Sequence, residues 1–131
     1  MERTRHLFDL RPEPGTHATE RRILAEGRDI VLRYVVDDTE KGEVVFPGGV
    51  AYRWTRSELC TPEMVDAYDS VAEVLDSEWS ALVTRAAEVG QTGARTPNLH
   101  HYRVYFDGGG CYEILAESAS LRESGTTGPA A

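Results

Sequence analysis

Two segments of alternating apolar and polar residues flank the stretch Asp107–Gly110, and they constrain the fold more than any other feature. The apolar positions of this alternation are Tyr102, Val104, Phe106, Tyr112, Ile114 and Ala116. A period of two is typical of β-strands, and glycine supplies the positive φ angles of a tight turn. The sequence therefore predicts a β-hairpin. It disfavours a phosphate-binding loop, because such a loop leads into a helix and this one leads into a strand.

Further strands are predicted nearer the N-terminus. The segment 20–38, ERRILAEGRDIVLRYVVDD, reads as two strands joined at Glu26-Gly27, and the second places Ile30, Leu32, Tyr34 and Val36 on one face. The segment 43–57 predicts another strand that is interrupted at Pro47-Gly48-Gly49. Proline and glycine weaken a strand interior, so this interruption indicates a bulge or an edge break.

The pattern between Thr61 and Val89 is helical. Apolar residues recur in steps of three and four, at positions 65, 68, 72, 75, 79, 82, 83 and 86. Thr61 is a suitable N-cap residue and Pro62 suits the first helical position. Asp76-Ser77 offers a second N-cap. The sequence allows either one long helix or two, and we slightly favour two.

Together these elements predict one α+β domain in a chain of 131 residues. We expect an extended N-terminal arm at 1–18, the domain at 19–117 and a flexible tail at 118–131. The domain should hold a mostly antiparallel sheet of four or five strands, with one or two helices packed on one face. The expected element order is β-β-β-α-α-β-β.

The predicted sheet has two chemically different faces. One carries the apolar hairpin residues with Val50, Tyr52 and Trp54, and we expect the helices to cover it. The opposite face carries Arg53, His101, Arg103, Tyr105, Cys111 and Glu113. That face is either the solvated side of an antiparallel sheet or a binding surface, and its side chains Arg53, His101, Arg103, Tyr105 and Glu113 are the candidate site residues.

Other reactive side chains give weaker signals. Cys60 precedes the predicted helix start, where a thiol with His100 or His101 as base is a possible nucleophile, but a structural cysteine is favoured. Adjacent strand residues point to opposite faces, so His100 and His101 are not expected to share a metal ion. The carboxylates of the helical segment predict a solvated helix face, with a basic partner surface as the alternative. They are Asp66, Asp69, Glu73, Asp76 and Glu78.

Composition narrows the class of function. The formal net charge is -8, which disfavours nucleic acid as a partner because phosphate binding needs a concentrated basic surface. The chain has no apolar run of about 20 residues, the length that a membrane span requires. We therefore expect a cytoplasmic protein that binds no membrane, and no sequence motif implies a cofactor.

A family resemblance rests on SEWSAL (Ser77–Leu82) followed by HYRVYFDGGGCYEILAES (His101–Ser118). This combination resembles small bacterial proteins of which some are similar to immunity proteins of toxin systems. It covers mainly 50–118, and its motifs are structural, so no functional residue is carried over. The resemblance implies a small α+β binding protein rather than an enzyme.

Two functional hypotheses follow. The leading one is a non-catalytic binding protein, immunity-like or accessory, that engages a partner protein. The alternative is a small enzyme or small-molecule-binding protein that uses a polar cleft on the sheet. A homodimer, joined through a sheet face or the edge near Pro47, is a further possibility.

Overall fold

The computed structural model describes residues 2–90 and 98–122. Within these ranges nine strands form two antiparallel sheets, and two α-helices with one 3-10 turn lie against the larger sheet. In chain order the elements are β1 (Arg3–Asp9), β2 (Ala18–Glu26), β3 (Asp29–Val36), β4 (Glu40–Pro47), β5 (Ala51–Thr55), the 3-10 turn (Ser57–Leu59), α1 (Pro62–Val65), β6 (Ser70–Leu75), α2 (Glu78–Gly90), β7 (His100–Phe106), β8 (Gly110–Ala116) and β9 (Ser120–Arg122).

The larger sheet has the strand order β1-β6-β7-β8-β5, and the smaller one has the order β2-β3-β4-β9. The α+β class and the antiparallel sheet with helices on one face are confirmed. So is the glycine-rich hairpin, in which Gly108 and Gly110 have φ angles of 71° and 87°. At Gly110 a Cβ atom would lie 2.4 Å from the carbonyl oxygen of Thr55, so the turn excludes a larger residue there.

The apolar face of the larger sheet is covered by the smaller sheet, not by the helices as predicted. Tyr102, Val104, Phe106 and the apolar residues of β8 pack against the β3 and β4 side chains in one core. The interruption at 47–49 is where the chain leaves one sheet and enters the other. A single sequence reveals which face is apolar but not which element covers it, and two apolar sheet faces cover each other as well as helices do.

The helix predicted over 61–89 is wrong in its middle. Thr61 does cap α1, and Ser77 caps α2 by accepting a hydrogen bond from the Ser80 N–H at 3.0 Å. Between them lies strand β6, inserted between β1 and β7 with most of its residues buried. A strand buried on both faces lacks polar alternation, so its apolar residues fit a helical period equally well.

The two predicted termini contribute strands. Residues 3–9, within the predicted arm, form β1 and pair with β6, and Leu7 and Phe8 pack against the core. Ser120–Arg122, within the predicted tail, forms β9 on the edge of the smaller sheet, and the rest of the tail lies outside the described residues. In the described part of the chain, neither helix has the length and apolar character to cross a bilayer.

Candidate functional site

Three of the five candidate residues converge on a fourth, the carboxylate of Glu113. The strand register places Arg53 and Arg103 directly beside Glu113 on the two neighbouring strands, and His101 lies two residues along the same face. Arg53 Nε donates to Glu113 at 2.9 Å, Arg103 Nη2 donates at 2.8 Å, and His101 Nε2 lies 2.7 Å from the carboxylate. The predicted face is therefore one connected charge network.

The fifth candidate, Tyr105, lies outside this network. It packs in a small apolar cluster with Met64, Ala67, Ala72 and Cys111, where α1 meets the sheet. Its position on the polar face was predicted, but its role there is packing.

The centre of the network is buried instead of solvated, whereas the side chain of Arg53 at its outer edge is 48% exposed. The side chains of Arg103 and Glu113 are 2% and 1% exposed. Burial by itself raises the pKa of Glu113, but hydrogen bonds from His101, Arg53 and Arg103 outweigh it and lower that pKa to about 2. Glu113 therefore stays ionised at neutral pH.

Arg103 carries a second carboxylate on its outer edge. Its Nη1 and Nη2 atoms donate to the two oxygens of Glu2 at 3.1 and 3.3 Å. The Glu2 side chain is 44% exposed, so this partner lies at the solvent side of a buried guanidinium. Arginine holds carboxylates in this two-pronged geometry because its donors form a planar fork.

Trp79, on the first turn of α2, closes the network from the helix side. The Arg53 guanidinium carbon lies 4.2 Å from the centre of the Trp79 ring, a cation–π contact. The same ring meets the His101 imidazole edge-on at 5.2 Å. One aromatic side chain therefore orients both a charged and a titratable group.

The second nitrogen of His101 contacts a hydroxyl. Ser77 Oγ lies 2.7 Å from His101 Nδ1, while Nε2 faces the ionised Glu113. A carboxylate can only accept, so Nε2 carries the proton in the neutral ring and Nδ1 is the acceptor for the Ser77 hydroxyl. Ser77, His101 and Glu113 thus form a continuous hydrogen-bonded relay.

Two adjoining cavities lie over the network. One, of about 530 Å³, is lined by Arg53, Ser77, Trp79, Leu82, His101 and Glu2. The other, also of about 530 Å³, shares Arg53 and Glu2 and reaches Arg103, Glu113, Thr55 and Met64. We call these two cavities together the cleft. Their size is in the range of small-molecule sites.

Cys60, the alternative nucleophile considered from sequence, does not contact either histidine. Burial raises the pKa of Cys60, whose thiol packs beside Cys111. The two histidines considered as its base are engaged elsewhere, because His100 hydrogen-bonds Glu73 at 2.6 Å and His101 hydrogen-bonds Glu113. Within residues 2–90 and 98–122, no group of three His, Cys, Asp or Glu side chains is placed to hold a metal ion.

The predicted solvated face of carboxylates does not exist as one surface. Asp69 and Glu73 are buried, and Glu73 hydrogen-bonds Arg5 and His100 within the larger sheet. Asp66, Asp76 and Glu78 are exposed, but Asp66 follows α1 whereas Asp76 and Glu78 lie beyond β6, just before and at the start of α2. The cause is strand β6, which replaces the helix on which these residues were expected to align.

Sequence reasoning missed Ser77, Trp79 and Glu2 as members of the site. From sequence, Ser77 was predicted as a helix cap and Trp79 as one of the apolar positions of the helical pattern, and both residues do lie at the start of a helix. Their contacts with His101 and Arg53 depend on how α2 docks on the sheet, for which the sequence carries no signal. Comparisons with protein-family models, curated proteins and solved structures found no match.

Proposed function

We propose that this protein binds a small molecule carrying a carboxylate in the cleft, the second of the two functions considered from sequence. The observation that carries the proposal is the buried Arg103 guanidinium, which holds the half-exposed carboxylate of Glu2. Glu2 occupies the place that a ligand carboxylate would take.

Charge balance supports an anion. When the Glu2 carboxylate leaves, the two positive charges of Arg53 and Arg103 face the single negative charge of Glu113. The buried network then carries one uncompensated positive charge, and burial strengthens electrostatic interactions there. The other charged residues that line the cleft, Glu63, Asp76 and Glu78, are exposed carboxylates. Trp79 and Leu82 supply an apolar wall for the rest of the ligand.

The proposal is tested by thermal unfolding of the full chain with a panel of small carboxylates and their amides. A ligand that binds only the folded state adds about 2.7 kcal/mol at a concentration of 100 times its Kd. We expect a carboxylate, but not its amide, to raise the melting temperature. Glu2→Gln should strengthen this effect by removing the competing carboxylate, and Arg53→Gln should abolish it.

Arg122→Gln is the matched control, because Arg122 is also a half-exposed arginine paired with a buried glutamate but lies on the smaller sheet. It should respond to carboxylates as the wild type does. If no carboxylate stabilises either the wild type or the Glu2→Gln variant, the ligand-binding proposal is wrong.

Partner-protein binding, including the immunity-like role that the resemblance implies, is a second candidate. It is favoured by Val50, Tyr52 and Trp54, which are 52%, 49% and 48% exposed along β5. Tyr52 and Trp54 pair with the core residues Ile114 and Tyr112 of β8, and Val50 directly precedes β5, but none of the three exposed residues belongs to the core. β5 is an edge strand, and an edge strand can pair with a strand of another chain.

Native mass spectrometry on the chain purified gently from its host's lysate tests this second candidate. A stoichiometric second protein that is lost in a Tyr52→Lys variant would support it. A mass of two identical chains would identify a homodimer instead. A bare monomer for the wild type would contradict both forms of association.

A further inference from the structure

The geometry points to an acyl-transfer activity in the cleft, with Ser77 as nucleophile and His101 as general base. This inference goes beyond ligand binding, although it rests on the cleft being the ligand site. The substrate class is a small carboxylic ester that also carries a free carboxylate. This carboxylate would occupy the arginine end of the cleft, and the ester carbonyl would lie at Ser77.

The first support is the hydrogen-bond relay itself. Ser77 Oγ and His101 Nδ1 are 2.7 Å apart, and His101 Nε2 and Glu113 Oε2 are 2.7 Å apart. A nucleophilic hydroxyl, a base within hydrogen-bond reach and a third group that orients the base are the parts that such catalysis requires. Compared with the best-known triads, the two ring nitrogens exchange roles, because Nδ1 faces the hydroxyl and Nε2 faces the carboxylate. The imidazole still lies between the hydroxyl and the carboxylate and can accept the hydroxyl proton.

The second support is the state of each group. Glu113 remains ionised because its pKa is held at about 2, so it keeps the proton of the neutral imidazole on Nε2. The free Nδ1 then faces the hydroxyl proton of Ser77. The side chain of His101 is only 2% exposed, and the Trp79 ring packs against it. These contacts hold the imidazole in this orientation.

The third support is access. Ser77 is partly exposed and lines the first of the two cavities of the cleft together with His101. Ser77 is also the cap residue before α2, so the N–H groups of Glu78 and Trp79 belong to a first helical turn whose donors have no partner inside the helix. These donors are available to a carbonyl oxygen that develops negative charge.

The reaction balances with water as the only co-reactant. Ser77 Oγ attacks the ester carbonyl carbon while its proton passes to His101 Nδ1. The tetrahedral intermediate expels the alcohol, which takes that proton from Nδ1. Water then attacks the acyl-serine with the same proton transfer through His101, and the acid leaves as Ser77 is regenerated.

The hydroxyl also caps α2, so the decisive variant must separate capping from nucleophilicity. Ser77→Asn does this, because asparagine caps helices about as well as serine but has no hydroxyl. Ser80→Ala is the matched control, since it removes a neighbouring hydroxyl that donates to the Leu99 carbonyl and takes no part in the relay. His101→Gln removes the base.

The experiment treats each full-length variant with an uncharged alkyl fluorophosphonate and measures the intact mass and the labelled peptide. We expect one adduct on Ser77 in the wild type and in Ser80→Ala, none in Ser77→Asn and at least tenfold slower labelling in His101→Gln. An unlabelled wild type, or equal labelling of Ser77→Asn, overturns the inference. Because the probe carries no carboxylate, its failure leaves the carboxylate-induced stabilisation to decide the binding proposal separately.

Discussion

Glu113 and Glu43 are both buried carboxylates held by two arginines on neighbouring strands, but they lie on different sheets. Glu43 pairs with Arg33 and Arg122, whose side chains are each 41% exposed. Glu113 pairs with Arg53, which is 48% exposed, and with Arg103, which is 2% exposed. The same cross-strand chemistry therefore occurs once with both arginines in contact with solvent and once with one of the two buried.

The difference lies in what packs on top. Helix α2 packs over the Glu113 network, and its cap residue Ser77 and its first-turn residue Trp79 add a hydroxyl and an indole to it. Around Glu43 the arginines reach water and also pair with Glu26. The helix that packs over the Glu113 network forms part of a cleft and strengthens each electrostatic interaction inside it. This is the reason that the Glu113 network is a candidate site, whereas the ion pairs around Glu43 serve stability.

The largest expected effect is on the free energy of unfolding, and it distinguishes Glu113 from Glu43. Glu113→Ala leaves the Arg103 guanidinium buried and without its inner partner, and we expect it to lower the free energy of unfolding by about 3–5 kcal/mol. Glu43→Ala should cost about 1 kcal/mol, because its arginines can be hydrated. Urea unfolding of both variants measures the difference, and equal losses would show that cover does not distinguish the two clusters.

A second effect sharpens the comparison through pH. The pKa of Glu113 is lowered from 4.5 to about 2, so its ionised form contributes stability above pH 4.5 and loses that contribution as the pH falls toward 2. We expect the wild type to lose about 3 kcal/mol relative to Glu113→Gln over this interval.

Urea unfolding at several acid pH values measures this loss. Glu43→Gln serves as the parallel variant, since arginine partners also lower the pKa of Glu43 against the effect of its burial. A wild type and a Glu113→Gln variant with the same acid dependence would contradict the ionised, buried state assigned to Glu113.

The smallest expected effect concerns Ser77, which caps helix α2 and also contacts His101 of the network. Ser77→Ala removes the α2 cap and the hydroxyl partner of His101, and we expect it to cost about 2 kcal/mol. Ser77→Asn retains a capping side chain, so its loss should stay below about 1 kcal/mol. Thermal unfolding compares the two, and an equally large loss for both would mean that the contact with His101, not the cap, carries the stability.

Much of the fold could be read from local patterns. The hairpin at Asp107–Gly110, the β2–β3 pair and the caps at Thr61 and Ser77 all follow from alternation, glycine and capping residues. Strand β6 could not be read this way, because its burial on both faces hides the period. The positive φ angles of Asp69 and Asp76, at 55° and 57°, end the helical pattern on either side of it, and aspartate is one of the few residues that tolerates such angles.

For the site, strand alternation predicted from the sequence that Arg53, His101, Arg103 and Glu113 share one face, but it left the register between the strands open. Only the tertiary structure decided that these residues lie side by side, that the centre of this face is buried, that Ser77 and Trp79 complete it and that Glu2 reaches Arg103. Local periodicity is set by neighbours in the chain, whereas burial is set by which distant element supplies the cover. The types of residue in the candidate site could therefore be predicted from the sequence, but their burial and hydrogen-bond partners depend on the tertiary packing.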